Sequence, residues 1–136
     1  MRFVDTNVLL YSVSTLPAEA QKAAIAQAIL KNRDLTLSVQ VLQEFYVQAT
    51  RPSRSNPLTH DEALAFIATW NRFPIVDITL GLFHEAMAVK TRYQLSYWDS
   101  AIIAAACMAG CTEVLSEDLN AGQDYGGVRA LNPFAG

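Results

Sequence analysis

The sequence predicts an α/β protein with a mainly parallel central sheet that is covered by helices on both faces. Two observations predict it: short apolar segments alternate with longer segments of helical periodicity, and hydrophobic residues make up 51% of the chain. Strands separated by helices need crossover connections, which produce parallel pairing. A parallel sheet has to be covered on both faces, and this apolar content is sufficient to do so.

The first half of the chain contains two predicted strands, each followed by a predicted helix. The strands are the short apolar segments 2–5 and 35–37. Residues 17–33 are rich in alanine and carry Pro17 in their first turn, which predicts a helix. Residues 38–50 predict the next helix, because their apolar side chains recur at helical spacing.

The second half of the chain continues this alternation. Thr59 and Glu62 have the spacing of a capping box, which predicts that a helix begins there and extends to Trp70. Ser96 precedes the last predicted helix, and Gly110 stands at the usual position beyond a helix end. The remaining predicted elements are helices at 80–93 and 97–109 and strands at 75–77, 113–116 and 128–131.

Length and charge limit the possible functions. A chain of 136 residues suits a single domain, 1–136. The net charge of -3 is unusual for a protein that binds nucleic acid through bulk charge, so contact with RNA would depend on bound metal and local basic clusters. No segment has the pattern of a signal peptide or a membrane span, which predicts a cytoplasmic protein.

Acidic residues follow two of the predicted strands. Asp5 ends the first strand and Asp118 lies just beyond the fourth, so both are expected at the carboxyl edge of the sheet. Glu44 lies in a predicted helix, and Asp99 lies in the first turn of another. Taken alone, Glu44 has the pattern of a solvated helical charge, and Asp99 that of a partner for the helix dipole.

Two further acids compete for a place in the same cluster. Asp77 ends the third predicted strand, and Glu117 is adjacent to Asp118. The positions of these residues in the predicted elements do not decide between them.

A cluster of such carboxylates would point to a bound divalent cation. Carboxylates that share a cleft repel one another, and a hard cation relieves that repulsion. Oxygen ligands favour Mg²⁺ or Mn²⁺, which can polarise a phosphodiester and lower the pKa of a bound water. The two histidines provide no evident catalytic triad, and no glycine-rich phosphate loop is present.

Four segments carry a resemblance to a known family. They are FVDTNVLLY, SVQVLQEFYVQATR, YWDSAIIAAACMAGC and VLSEDLNAGQDYGGVRALNPF, and together they cover nearly the whole chain. In this order and spacing they resemble the PIN-domain ribonucleases, and among these the VapC toxins of bacterial toxin–antitoxin pairs. The resemblance implies a three-layer α/β/α sandwich.

The same resemblance implies roles for individual residues. It makes four acids catalytic and metal-binding: Asp5, Glu44, Asp99 and Asp118. It thereby favours Asp118 over Glu117. Thr6 and Ser116 become candidates for orienting the carboxylates or water through their hydroxyl groups, although local backbone hydrogen bonding explains them equally well.

The implied activity is cleavage of RNA by metal-activated water, which leaves a 3′-hydroxyl and a 5′-phosphate. The implied partners are an RNA substrate, a second copy of the chain, and a small antitoxin that places a basic side chain among the acids. Arg51 and Arg54, in the loop that follows the Glu44 helix, are candidate RNA contacts.

Two other functions remain as alternatives. Asp5 could be the nucleophile of a phosphatase similar to the haloacid dehalogenases, but that pattern needs an acid where this chain has Asn7. The chain could also be an inactive module that binds RNA or a partner without cleaving it.

Overall fold

A computed structural model describes residues 1–135, and its centre is a sheet of five parallel strands. The strands stand in the order β3-β2-β1-β4-β5, and every neighbouring pair is parallel. They are β1 (Arg2–Val4), β2 (Leu35–Ser38), β3 (Ile75–Val76), β4 (Glu113–Leu115) and β5 (Arg129–Leu131). The predicted parallel α/β architecture is confirmed.

Within residues 1–135, six α-helices flank this sheet. They are α1 (Thr6–Ser12), α2 (Ala20–Ile29), α3 (Val39–Ala49), α4 (His60–Trp70), α5 (Leu80–Tyr93) and α6 (Tyr97–Met108). Contacts join α1 to α2 and α3, and α3 to α4, whereas α5 packs on α6. Right-handed crossovers place the first four helices on one face of the sheet and the last two on the other. The result is the α/β/α sandwich that the resemblance implied.

The order of the strands determines where a ligand site can form. The chain proceeds from β1 to β2 and β3 in one direction, then returns to the other side of β1 to form β4. This reversal leaves a crevice at the carboxyl ends of β1 and β4, where open α/β sheets bind their ligands. The segments that follow β1 and β4 therefore meet at this crevice.

The core lies on both faces of the central strands. Phe3 and Val4 of β1 are completely buried, as are Leu35 and Leu37 of β2. Residues 101–106 of α6 are also buried, and four of the six are alanine, so that helix can lie close to its neighbours. Burial of every side chain from Ser100 to Ala106 explains why the middle of α6 is almost entirely apolar.

Most of the predicted helix boundaries are confirmed by capping interactions. Thr59 and Glu62 form the reciprocal capping box, and the Ser96 hydroxyl accepts the backbone N–H of Asp99 at 3.1 Å. Gly110 adopts a φ of 75° just beyond α6, a conformation that glycine accepts without the strain of a Cβ atom.

The sequence pattern does not predict α1. Asp5 is its N-cap residue, and Val8 and Leu9 are buried against the core. The helix has seven residues, which is too short for a clear helical period, and its Val-Leu-Leu-Tyr sequence is equally compatible with a strand. The helix predicted at 17–33 is also shorter than expected: Pro17–Glu19 form a 3₁₀ turn and α2 ends at Ile29.

No helix within residues 1–135 is long and apolar enough to cross a membrane.

Candidate active site

A cavity of about 120 Å³ lies at the crevice between β1 and β4. Four segments that are distant in sequence contribute an acid to it: Asp5 follows β1, Asp118 follows β4, Glu44 comes from α3 and Asp99 from the first turn of α6. The other lining residues are Thr6, Asn7, Leu10, Gln40, Gln48, Trp98 and Ile102. The fold thus brings all four predicted acids to one cavity.

Asp5 is the most deeply placed of these acids, with only 6% of its surface exposed. Its Oδ1 accepts the backbone N–H of Thr6 at 2.7 Å, and its Oδ2 accepts the Ser116 hydroxyl at 2.7 Å. Burial raises the pKa of Asp5 to about 6, although these two hydrogen bonds oppose the shift. The charges of Glu44 and Asp118 raise the pKa further, so the carboxylates repel one another across the cavity.

Glu44 is held by two uncharged donors. Its Oε1 accepts the side-chain amide of Gln40 at 3.1 Å and the hydroxyl of Thr6 at 3.3 Å. The same Gln40 nitrogen donates to the backbone carbonyl of Trp98 at 3.2 Å. The buried Gln40 amide thus connects the Glu44 helix to the first turn of α6, where Asp99 lies.

Asp118 is linked to the β1–α1 segment through Asn7. The Asn7 amide donates to Asp118 Oδ2 at 3.2 Å and to the Ser116 hydroxyl at 3.3 Å, and its carbonyl accepts the backbone N–H of Glu117 at 3.3 Å. The backbone N–H of Asp118 donates to Ser116 Oγ at 3.1 Å. Asn7 and Ser116 therefore fix the loop after β4 against the start of α1.

Asp99 is half-buried at the amino end of α6. Burial raises the pKa of its carboxyl group, a hydrogen bond with Ser96 lowers it, and the charge of Asp118 raises it. The net direction is upward, as for Asp5. Burial, with a smaller contribution from neighbouring carboxylates, thus raises the pKa of two carboxyl groups in this cavity.

The competing acids Glu117 and Asp77 do not line this cavity. Glu117 accepts Lys22 Nζ at 2.8 Å and the hydroxyl of Tyr11. Burial raises the pKa of Glu117, but the two hydrogen bonds and the charge of Lys22 together outweigh burial and lower it. Asp77 is exposed beyond β3. The geometry therefore separates Glu117 and Asp77 from the four acids of the cavity.

The two candidate RNA contacts lie in different places. Arg51 lines a groove of about 280 Å³ that adjoins the acidic cavity, whereas Arg54 lines a separate small cavity beside Leu16 and Asn56. A larger cavity of about 460 Å³ is lined by Lys31, Arg33, Arg72 and Phe73. It lies at the amino edge of the sheet, and Arg72 there donates to the carbonyl of Leu30, so this arginine satisfies the end of α2.

The donor set of the acidic cavity fits a hard divalent cation. Every charged group lining it is a carboxylate, and a cation would relieve the repulsion that acts on Asp5. Between residues 1 and 135, no three His, Cys, Asp or Glu side chains converge as a ready-made metal site. Instead, individual carboxylates accept hydrogen bonds from neighbouring polar side chains, as the ligands of a metal do when outer residues orient them. These side chains are Thr6, Asn7, Gln40 and Ser116.

Asn7 and Gln40 bond to the acids of the cavity, but the sequence pattern assigns neither of them a role there. Asn7 lies two residues after Asp5, and Gln40 lies one helical turn before Glu44. An amide placed beside a candidate acid is a weak signal in a sequence. Gln40 becomes informative only because it is buried and bonded to two elements at once.

Comparison with known proteins gives one family match and several similar structures. The family model described as "PIN domain" matches residues 2–123. No curated protein matches the chain. A toxin–antitoxin complex from Klebsiella pneumoniae is 18% identical, with coverage of 98% of each chain and a TM-score of 0.71.

Two further solved structures have the same fold. VapC20 of Mycobacterium tuberculosis, described as a toxin that cleaves the sarcin–ricin loop, is 19% identical, with a TM-score of 0.68 and coverage of 87% of this chain and 92% of that one. DNA-bound VapBC from Salmonella typhimurium is 16% identical, with coverage of 95% of each chain and a TM-score of 0.65. At these identities the likeness establishes the fold alone.

Proposed function

The chain belongs to the PIN-domain family, and we propose that it is a metal-dependent endoribonuclease that acts as the toxin of a toxin–antitoxin pair. The family expected from the four sequence segments is confirmed. The observation that carries the proposed activity is the single cavity lined by four carboxylates from distant parts of the chain. Similar structures support the biological role, since one is described as a toxin–antitoxin complex and another as a toxin that cleaves the sarcin–ricin loop.

The residues that would hold Mg²⁺ or Mn²⁺ are Asp5, Glu44, Asp99 and Asp118. A divalent cation bound there supplies Lewis-acid polarisation of a phosphodiester and a water of lowered pKa. In the proposed reaction, a water oxygen bonds to phosphorus and the bond from phosphorus to the 3′ oxygen breaks. The products carry a 3′-hydroxyl and a 5′-phosphate.

The neutral groups around the cavity would fix the carboxylates before the substrate arrives. Ser116 and the backbone of Thr6 hold both oxygens of Asp5, and Gln40 holds Glu44. Asn7 holds Asp118. Groups that are held before the reaction need little reorganisation during it, which is how such positioning contributes to rate. Thr6 and Ser116 thus act as orienting residues in this proposal.

Incubation of the purified protein with ribosomal and transfer RNA tests the proposed activity. We expect internal cleavage, in the presence of Mg²⁺ or Mn²⁺, with new ends that a 5′-phosphate-dependent exonuclease accepts. RNA binding without cleavage under every divalent ion would instead identify an inactive binding module. Hydrolysis of small phosphate esters without RNA cleavage would favour the phosphatase alternative.

An antitoxin is the proposed protein partner. The acidic cavity would attract a lysine or arginine side chain for the same reason that it attracts a cation. A partner segment that places such a side chain among Asp5, Glu44 and Asp99 would block the site. The solved complexes from Klebsiella pneumoniae and Salmonella typhimurium support the existence of such a partner.

Gln40 provides a test of how the carboxylates are held. We expect Gln40→Leu to lower the cleavage rate and the affinity for Mn²⁺ by about 10-fold or more, since it removes a donor that orients Glu44. Stability should fall by about 1 kcal/mol, because the hydrogen bond from α3 to the carbonyl of Trp98 is lost. Gln21→Leu, on the exposed face of α2 and outside both the cavity and the groove, is the matched control and should preserve rate and Mn²⁺ affinity. Equal rates and affinities for both variants would contradict the role given to Gln40.

A homodimer is the other proposed assembly. Ile78, Leu80 and Phe83 form an exposed apolar patch at the start of α5, and 71% of Leu80 is exposed. Covering these side chains with a second copy would remove apolar surface from water. We call this surface the α5 patch.

Leu80→Asp is expected to convert the dimer to a monomer, as measured by sedimentation equilibrium. Leu80 is the first residue of α5, where an acid is favourable, so the fold should be preserved. Leu64→Asp places the same change on an exposed leucine of α4 and should leave the dimer intact. A dimer that survives in Leu80→Asp would place the interface elsewhere.

A further inference from the structure

The groove that contains Arg51 is continuous with the acidic cavity. Seven residues line this groove: Gln40, Gln43, Glu44, Val47, Gln48, Arg51 and Trp98. Four of them, Gln40, Glu44, Gln48 and Trp98, also line the cavity. A chain bound with one phosphate at the acids could therefore extend directly into the groove.

Trp98 is the most prominent side chain of this groove. The residue is 64% exposed, although tryptophan is usually buried to a large extent. Its backbone is fixed in the first turn of α6, where its carbonyl accepts the Gln40 amide at 3.2 Å. The Tyr97 ring contacts the indole edge-to-face at a centroid distance of 4.9 Å. The ring is thus held at a defined place and still open to a ligand.

We propose that this groove is a subsite for single-stranded RNA, in which an unpaired base stacks on Trp98 and Arg51 contacts a neighbouring phosphate. The inference rests on the proposed nuclease function and specifies its substrate as an unpaired segment. Exposed aromatic rings bind unstacked bases of any sequence, and arginine binds backbone phosphate.

The composition of the groove favours RNA over a protein surface. Val47 and Trp98 are its only large apolar side chains, which is too little to replace the core of a protein interface. Gln43 and Gln48 offer amides that can bond to base edges. Arg51 supplies the one positive charge beside a carboxylate cavity, in a chain with a net charge of -3. An entering phosphate chain needs such a charge to offset the acids.

Tryptophan fluorescence can test this subsite directly. The chain has two tryptophans, and Trp70 is only 3% exposed, so iodide quenching reports on Trp98. The probe is an unstructured single-stranded oligoribonucleotide of mixed sequence, and a hairpin of the same length serves for comparison. Asp5→Asn protein is used so that the RNA is not cleaved. We expect the oligonucleotide to protect Trp98 from iodide and the hairpin stem to protect it much less.

Substitutions in the same background measure the contribution of each residue. Trp98→Leu should weaken binding of the single strand about 10-fold, whereas Trp98→Phe should retain most of the affinity. Arg51→Gln should weaken binding and reduce the slope of log K against log salt by about 1. Met108→Ala and Arg33→Gln change an exposed apolar residue and an exposed cation outside the groove, and both should bind as the parent does. Thermal unfolding of each variant verifies that it is folded.

Unchanged affinity in folded Trp98→Leu, or an indole that stays open to iodide with RNA bound, would overturn the subsite. An indole that becomes protected with rising protein concentration alone would assign the groove to a second copy, and protection only by an antitoxin peptide would assign it to that partner. Failure of the subsite is distinguishable from failure of the nuclease function. In the first case wild-type protein still cleaves RNA and Trp98→Leu has an unchanged KM, whereas in the second case wild-type protein cleaves no RNA.

Discussion

Asp5→Asn is expected to lower the rate of RNA cleavage about a thousandfold and to stabilise the metal-free protein. The loss of rate follows if Asp5 holds the cation, because an amide oxygen is a neutral and weaker ligand. The gain in stability follows from the cost of burying a charged carboxylate. Burial raises the pKa of Asp5 to about 6 from 3.8, and a shift of this size corresponds to a cost on the order of 3 kcal/mol at neutral pH.

The pH dependence of stability gives the sign of this effect. The folded protein binds the Asp5 proton more tightly than the unfolded chain does, so this carboxyl group favours folding most at acidic pH. That contribution falls as the pH rises from about 4 to above 6 and the buried group ionises. Asp5→Asn removes the titrating group, so the difference in unfolding temperature between variant and wild type should grow over this interval. Calorimetry in EDTA measures it.

Asp77→Asn is the matched control for this experiment. Asp77 also follows a strand, but it is exposed and lies outside the acidic cavity. We expect this variant to cleave RNA at the wild-type rate and to show the wild-type pH dependence of stability. If Asp77→Asn lost as much activity as Asp5→Asn, the four-acid assignment would be wrong.

The positions of Asp5 and Asp118 could be predicted from the sequence because they depend on local features. Each lies just after a short apolar strand, and parallel strands end at a common edge of the sheet. The choice of Asp118 over Glu117 could not be derived in this way, because adjacent residues share the same predicted location. The geometry separates them through Lys22 and Tyr11, which bind Glu117 away from the cavity.

Glu44 and Asp99 show what local patterns leave out. Both stand on helices, and their place at the cavity depends on how α3 and α6, from opposite layers, meet above the carboxyl edge of the sheet. Gln40 lies where the two helices meet, since its amide donates hydrogen bonds to Glu44 and to the carbonyl of Trp98. Gln40 and Trp98 are 58 positions apart in the sequence, and a periodic pattern of apolar residues does not predict a contact over that separation. Only the resemblance to a family pointed to these two acids in advance.

The missed α1 has a different cause. The sequence predicts Asp5 only as an acid at the end of a strand, yet it also caps the next helix and its Oδ1 accepts the Thr6 N–H at 2.7 Å. The chain therefore changes from strand to helix within one residue, and apolar residues on both sides conceal the boundary. This sharp change places Asp5, Thr6 and Asn7 together at the crevice.

Removal of divalent cations is expected to abolish cleavage, and addition of Mn²⁺ to restore it and stabilise the protein. Four carboxylates that repel one another in one cavity are most strained without a counter-ion, so binding should favour the folded state. At a Mn²⁺ concentration about a hundred times its Kd, the gain is about 2.7 kcal/mol. Scanning calorimetry with EDTA, Mg²⁺ or Mn²⁺ measures the gain, and cleavage is assayed under the same three conditions.

The stability measurement separates cation binding at this cavity from cation binding to the RNA. Asp5→Asn should lose most of the Mn²⁺-induced stabilisation, whereas Asp77→Asn should keep it in full. A gain that persists unchanged in Asp5→Asn would locate the cation outside the cavity, whatever its effect on cleavage. Full cleavage in EDTA would show that a divalent cation has no role in the cleavage reaction. The acids would then have to act on the phosphodiester through their protons, a role for which the raised pKa values of Asp5 and Asp99 would be the starting point.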